Sequence, residues 1–408
     1  MIRCITLFLL FIVPLVPATG GTGSNYTIFG VGDLRLAGSP RSSALGYAGS
    51  VLRDGVAINT GSPASWSGIR ETTLEASLLH EGFNATDGTK SQSVSLTNFG
   101  GAAMAIPIST KFGIVAVGSM RPYSNKDYNV FTTGSQQGMD YVLNHEGSGG
   151  LGNAQIGVSF GPFPFIAVGA SFNYIFGSLK SSRTLLPASF EFDGGKTTSR
   201  TTTNAVNGTF GLMINGTGGL VPLLDPLSVG FTFAPRSFLN ANAELLYEFT
   251  SEADTAALSV SDILLPLSYG IGASYRVTPR WLVVADYYTQ QWGTSNLGVE
   301  TRDARLFGVG IERSGATTPG ASWVDRIALR VGAFRHETYY IVNGEGITEM
   351  GLTGGLGVPF SGESRLTFSF EYGDRGSTGN NLIREKILRF TLGITIRELW
   401  FLTFDEAI

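Results

Sequence analysis

Few residues in this chain are placed to do chemistry. The three histidines, His80, His145 and His336, stand far apart with no cysteine and no i, i+4 partner, which is not the spacing of a zinc site. His80-Glu81 and His336-Glu337 could serve a Ser/His/Asp constellation at the rim of a barrel, and that is the one enzymatic reading open. Gly147-Ser148-Gly149-Gly150-Leu151-Gly152 has the spacing of a dinucleotide fingerprint, but it leads into the alternating run Gln155 to Phe160, where a phosphate-binding helix would have to start. It reads as a flexible loop. The expectation is a protein that is not an enzyme, with no catalytic residue, metal or cofactor.

What would position the remaining polar groups is a strand pattern. From Lys386 to Phe401, Leu388, Phe390, Leu392, Ile394 and Ile396 share one parity, while Arg389, Thr391, Gly393, Thr395 and Arg397 hold the other. A period of two gives each set its own face of an extended strand, and five alternate positions reach roughly 25–30 Å, the apolar height of an outer membrane. Trp400-Phe401 then supplies the aromatic pair expected at the headgroups. Similar alternation predicts spans near 72–83, 93–108, 111–122, 152–161, 164–177, 203–215, 226–236, 262–277, 280–291, 303–313, 325–340, 347–359, 363–374 and 386–400. That makes an all-β chain, a transmembrane antiparallel β-barrel of about fourteen strands, an even number as a single-chain bacterial barrel requires. Turns such as Pro107-Ile108-Ser109-Thr110, Gly161-Pro162-Phe163-Pro164 and Val277-Thr278-Pro279 alternate with long polar connections near 123–151, 178–202 and 236–261. Short periplasmic turns against long external loops set the orientation. The connections near 215–226 and 314–324 are longer than this rule predicts, and 341–346 is shorter.

The N-terminus points to the same destination. Arg3, the apolar run Ile5 to Val16 and Pro17-Ala18 read as a secretory signal peptide over 1–18, too short in its apolar core for the ~20 residues of a spanning helix. Cys4, the only cysteine, precedes that core, so a thiol-free mature chain without a lipid anchor is expected. With 28 basic against 32 acidic residues and no basic block, nucleic acid is set aside as a partner. The 55 glycines among 408 residues suit turns and close strand approaches better than long helices. The barrel is expected over 68–401, with 402–408 a short periplasmic C-terminal tail. Residues 19–67 do not alternate, and Tyr26 to Ser67 is too small for a core of its own. It is either a periplasmic tail or a plug folded inside the barrel.

The second face of the strands is less polar than a water-filled porin requires. Val115, Val117, Ile175, Leu282, Val284 and Tyr288 stand at inward positions as lumen-lining candidates, favouring greasy cargo or packing against a plug. Inward charges at Asp286, Arg330, Glu371, Arg389 and Arg397 are expected to pair with each other or with Arg53 and Asp54. Gly118 and Pro122 are candidates for a kink in the third strand, since proline breaks a ladder, and a plain strand end at Pro122 is the other reading.

Four segments carry a resemblance: Tyr26-Thr27-Ile28-Phe29-Gly30-Val31-Gly32-Asp33-Leu34, Ser42-Ser43-Ala44-Leu45-Gly46-Tyr47-Ala48-Gly49, Leu52-Arg53-Asp54-Gly55 and Ile58-Asn59-Thr60-Gly61-Ser62-Pro63-Ala64-Ser65. With the closing Thr395-Ile396-Arg397-Glu398-Leu399-Trp400-Phe401, they resemble the FadL-type outer-membrane transporters, particularly distant members of that family from the Bacteroidetes. Two departures are Ser62, where that family usually has Asn before Pro-Ala, and Asp405-Glu406 in place of a basic tail. The resemblance implies a passive channel for hydrophobic molecules such as long-chain fatty acids or aromatic hydrocarbons, gated by an N-terminal plug. Its plug and gating candidates are Arg41, Gly46, Gly49, Arg53, Asp54, Pro63 and Ala64, the glycines permitting tight turns and Pro63 fixing one. The implied partners are hydrophobic small molecules or lipids, outer-membrane lipid and, through the C-terminal strand, the barrel-assembly machinery. The implied location is the outer membrane of a Gram-negative bacterium. Two alternatives stay open: a structural or secretion-machinery barrel that moves no small molecule, and a general diffusion porin.

On this reading Ile394→Arg places a charge in the lipid face and costs about 2–4 kcal/mol, while Thr395→Arg, on the other face, costs much less. Unfolding of the two variants in lipid, followed by heat-modifiable gel mobility, compares them.

Overall fold

The computed structural model describes residues 23–36, 38–136, 139–187, 194–216, 221–249, 253–258, 260–318 and 320–398. Among them the chain builds fourteen wall strands: β1 (Thr72–Thr86), β2 (Ser91–Ser109), β3 (Ile114–Asn125, resumed as Tyr128–Gln136), β4 (Met139–Phe163), β5 (Ile166–Pro187), β6 (Gly195–Asn215) and β7 (Leu227–Ala234 and Ser237–Phe249). These are followed by β8 (Ala253–Leu258, Ile263–Leu265 and Ser268–Thr278), β9 (Trp281–Gln290), β10 (Ala304–Arg313), β11 (Ala328–Val342), β12 (Glu345–Ser361), β13 (Ser364–Arg375) and β14 (Arg384–Glu398). Neighbours in sequence pair antiparallel, and β14 returns to β1 through an unbroken ladder from Arg384↔Thr86 to Glu398↔Thr72. The expected signal peptide with Cys4, the pair Trp400-Phe401 and the tail 402–408 lie outside the described residues.

Period-two alternation decides which side chains meet lipid. Leu388, Phe390, Leu392 and Ile394 are exposed on the outside, beside Phe368, Phe370 and Tyr372 of β13 and Leu352 and Leu356 of β12, and this apolar belt continues around the wall. No helix among the described residues is long and apolar enough to cross a membrane, so the strands carry the crossing.

The long polar connections expected near 123–151, 178–202 and 236–261 prove to be mostly strand among their described residues. β4 runs 25 residues and β5 runs 22, and Ser178–Leu185 stays in register with Gly195–Thr202 far beyond the belt. Above the lipid both faces of a sheet meet water, so alternation fades while the hydrogen-bond ladder continues. The opposite, short-turn end is periplasmic in barrels of this kind. There the longer connections at 215–226 and 314–324 contain 3-10 turns at Pro222–Leu224 and Val324–Arg326. The short connection at 341–346 is a two-residue hairpin turn in which Asn343 and Gly344 both take positive φ, 52° and 77°.

Residues 23–68 touch the inward faces of strands all around the ring. Asp33 pairs with β13, Arg41 with β10, Gly49 with β9, and the Pro63–Gly68 turn packs on β5 and β6. Gly46 is needed at its position: φ is +67°, and a Cβ would lie 2.3 Å from the carbonyl oxygen of Ala333. Apolar contacts join segment to wall in separate patches, Ile58, Trp66 and Ile69 on Val115 and Val117, and Leu45 and Ala48 on Leu282 and Val284.

Charge ties the same surfaces together. Arg375 of β13 is buried and bridges Asp33 (3.0 Å) and Glu349 (2.5 Å), with Glu385 at 3.9 Å. Arg389 bridges Glu81 (2.9 Å), Glu349 (2.6 Å) and Glu371, and Arg35 reaches Glu81 from the segment. Lower down, Glu312 receives both Arg41 and Arg330 at 2.7 Å. This filling corrects the expectation for Thr395, which is only 4% exposed and lies 3.3 Å from Glu75 through its hydroxyl. An arginine there has no open lumen to enter, so Thr395→Arg should cost at least as much as Ile394→Arg.

Removing one member of such a network strands its partners. Arg375→Met should destabilise the protein by about 3–5 kcal/mol, because the buried carboxylates of Glu349, Asp33 and Glu385 lose their common cation. Comparison of unfolding midpoints in detergent for the parent, Arg375→Met and Arg375→Lys checks this, with the lysine variant intermediate.

Candidate functional site: a seam in the wall and the cavities behind it

β2 pairs with β1 over most of its length, from Ala105↔Thr73 to Ser91↔Thr86. With β3 it pairs only from Ser109↔Ile114 to Ala102↔Met120. Above that level the two strands part, and the level lies within the apolar belt, since Phe99 stands opposite Leu78 and Leu78 opposite Leu392. Two irregularities turn the strands away from each other. In β2, Ser77 faces Gly101 and Leu78 faces Phe99, which leaves Gly100 as an extra residue in a bulge. In β3, Pro122 faces Gly152 and Ser124 faces Leu151, which leaves Tyr123 over, beside a proline that has no N–H to offer a ladder. Pro122 is thus a bulge within a continuing strand and not a strand end. Gly118 is no kink: it sits in regular register between Met104 and Ile156 with nothing near its outward face.

The freed edge of β3 is taken by the N-terminal segment. Asp33 pairs with Asn125 and Leu34 with Ser124, the Arg35 N–H donates to the Tyr123 carbonyl at 2.9 Å, and the Ser124 hydroxyl donates to the Val31 carbonyl at 2.8 Å. Lys126, between the halves of β3, points its ammonium at the Gly30 carbonyl (3.4 Å), and burial pushes its pKa down to about 8.

Behind the seam lies a cavity of about 340 Å³ whose lining spans the wall, from Phe99 and Met120 on the lipid face to Arg35, Glu75, His336 and Arg389 inside. A second cavity of about 150 Å³ adjoins it across Leu34, Leu36, Tyr47 and Arg121, and carries Asn153, Gln155, Asn173 and Asp286. Arg121 borders both: it forms no ion pair among the described residues, and its Nε has no hydrogen-bond partner.

The lumen candidates fare unequally. Val115, Val117, Leu282 and Val284 face inward but are covered by the segment, and Ile175 joins an apolar cluster with Leu151 and Leu179. Ile175 and Tyr288 border the second cavity. The free space inside is therefore more polar than the inward parity suggests, because the apolar positions are consumed in packing. Among the plug candidates, Arg41 and Asp54 pair at 2.7 Å, and the N–H of Gly49 donates to Asp286 at 2.9 Å. Pro63 and Ala64 press on Gly169 and Gly211, while Arg53 meets no acid and donates instead to the Pro164 carbonyl at 2.7 Å. Asp286 thus takes backbone donors, and Arg397 pairs with Glu71 (3.2 Å) and Glu363 (3.3 Å).

The two His-Glu pairs do not form dyads. His80 faces outward, bonded to Thr97 at 2.8 Å, whereas Glu81 is buried inside; His336 is buried inside, whereas Glu337 bonds Arg335 on the exterior. Adjacent residues of a strand point to opposite faces, so the wall separates each pair. His145 lies on the extension of β4, opposite Val130 and Arg183. The seam itself escaped sequence reasoning, although Gly100-Gly101 within an alternating run is the composition of a bulge.

This architecture is similar to solved structures of the FadL type. The Ralstonia pickettii toluene transporter TbuX aligns with a TM-score of 0.59 at 14% identity, covering 89% of this chain and 99% of that one. The Pseudomonas putida toluene transporter TodX aligns at 0.57 and 14%, covering 90% and 100%, and a Pseudomonas aeruginosa FadL homologue at 0.57 and 11%, covering 89% and 99%. No curated protein sequence matches the chain. The family model of BamG matches residues 1–404, nearly the full length, and the chain belongs to the BamG family.

Proposed function

We propose that this protein is a passive, non-enzymatic channel of the Gram-negative outer membrane for amphipathic hydrophobic molecules, with residues 1–18 a signal peptide and 19–67 a plug. The observation that carries the reading is the seam: within the belt, the wall lacks β2–β3 pairing above Ala102↔Met120, with a cavity of about 340 Å³ behind it. A molecule in that cavity meets Phe99 and Met120 toward the lipid, and Leu79 and the guanidinium of Arg121, which has no ion-pair partner among the described residues, within. That division suits an apolar body with an acidic head, since a chain burying roughly 300 Å² gains ~7 kcal/mol before ordering costs. The hydrocarbon channels and toluene transporters that share the fold support the cargo class. Asp33–Leu34, bonded along the β3 edge, is the part of the plug that would have to shift for the seam to pass cargo inward.

A second reading, a structural or machinery component, is favoured by one observation: the interior is filled by residues 23–68 and their buried ion pairs. The same filling opposes a general diffusion porin.

Two measurements separate these readings. Purified protein should bind a fluorescent long-chain fatty acid at micromolar concentration or tighter; Arg121→Leu should weaken the acid by about tenfold and leave an uncharged aromatic hydrocarbon unaffected. In liposomes, Asn98→Cys with Tyr123→Cys, bridged by a bis-maleimide across the seam, should abolish uptake while the unbridged pair transports. Uptake that survives bridging excludes the lateral route, and a parent without saturable binding favours the machinery reading.

A further inference from the structure

At the short-turn end, away from the seam, a cavity of about 430 Å³ opens between the segment and the wall, bordered by Arg53, Arg70, Lys111 and Arg276 with one carboxylate, Asp54. That carboxylate is already committed to Arg41 through two hydrogen bonds of 2.7 and 2.9 Å, and Arg276 stands 3.9 Å from it. Arg53, Arg70 and Lys111 form no ion pair among the described residues. Arg53 is held by the Pro164 carbonyl and Arg70 by the Thr110 carbonyl, both in short turns, and Lys111 lies 5.5 Å from the centre of the Phe112 ring. Arginines 35, 41, 330, 375, 389 and 397, by contrast, all meet carboxylates.

Two donors bordering this cavity also lack acceptors among the described residues: Nε of Arg53 and Nδ2 of Asn215 are buried without a hydrogen-bond partner there. Converging cations and orphaned donors describe a site whose missing component is an acceptor with negative charge. Leu52, Phe163 and Leu282 border the same space, so it holds an apolar group beside the charge. We infer that the periplasmic mouth binds an oxyanion, a carboxylate or phosphate monoester, carried on a small amphiphilic molecule. Arg53, Arg70 and Lys111 supply the charge, and Asn215 supplies a neutral donor. This inference does not depend on the transport reading, because the seam and Arg121 take no part in it.

The test uses the full-length mature protein in a neutral detergent and isothermal titration with phenyl phosphate, benzoate, benzyl alcohol and inorganic phosphate. Phenyl phosphate or benzoate should bind saturably, benzyl alcohol should not, and affinity should fall as salt is raised. Inorganic phosphate should bind more weakly than phenyl phosphate; equal affinity would overturn the apolar half of the site. Arg53→Gln with Lys111→Gln should weaken binding by about tenfold or more, and Arg53→Lys should retain most of it. Heat-modifiable mobility confirms that each variant is folded. Absence of saturable anion binding in the parent, or equal affinity in the folded double variant, overturns the proposal.

Discussion

A strand in lipid has no water to satisfy its N–H and C=O groups, so the wall of a membrane barrel must close on itself. Among the described residues the ladder between β6 and β7 breaks off from Phe210↔Phe233 to Asn204↔Asn240, and that between β2 and β3 lapses above Ala102↔Met120. The chain meets that lapse with its own backbone, laying Asp33–Leu34 along the β3 edge. For those two residues to reach the edge, the segment on either side must run through the interior. The path of residues 23–68, the cavities left around it and the demand for inward polar partners all follow from that placement.

An interior filled this way has to accommodate charge at low dielectric, where an ion without a partner is costly. Some of its ions are matched across the boundary between segment and wall, as in Arg41 with Glu312 and Asp33 with Arg375, and others within the wall, as in Arg389 with Glu349. Matched pairs hold the segment in one register against its wall strands. The unmatched cations are therefore informative: Arg121 at the seam and the trio Arg53, Arg70 and Lys111 at the short-turn mouth each border a cavity. Cations left without a carboxylate beside a cavity are where a negatively charged ligand gains most.

Membership of the BamG family and a fold shared with hydrocarbon channels sit together without contradiction. At 11–15% identity the shared fold says how the wall is built, and the chemistry of the interior belongs to this chain. Long extensions of β3 to β8 rise above the belt as a continuous sheet, whereas β9 to β14 end near it, so the extracellular face is lopsided. Any partner on that side meets a sheet whose outer strand, Tyr128–Gln136, pairs on one edge only.

The number of strands and their lipid faces were legible in the sequence, because lipid contact imposes a period of two that Leu388, Phe390, Leu392 and Ile394 display without help from any other strand. Where that constraint stops, so did the reading: Ser178–Ser182 and Lys196–Thr203 carry no alternation, and only the ladder between them shows that they are strand. The inward face was harder still. Val115 and Leu282 look alike as apolar lumen residues, and only the tertiary structure shows both spent on contacts with Ile58, Trp66, Leu45 and Ala48. Likewise Glu81 and Glu312 reveal nothing of their partners in sequence, since Arg389 and Arg41 lie hundreds of residues away. Local periodicity records which side of a strand meets lipid; which residues meet each other inside, and where two strands fail to meet, depends on contacts between distant parts of the chain that no local pattern encodes.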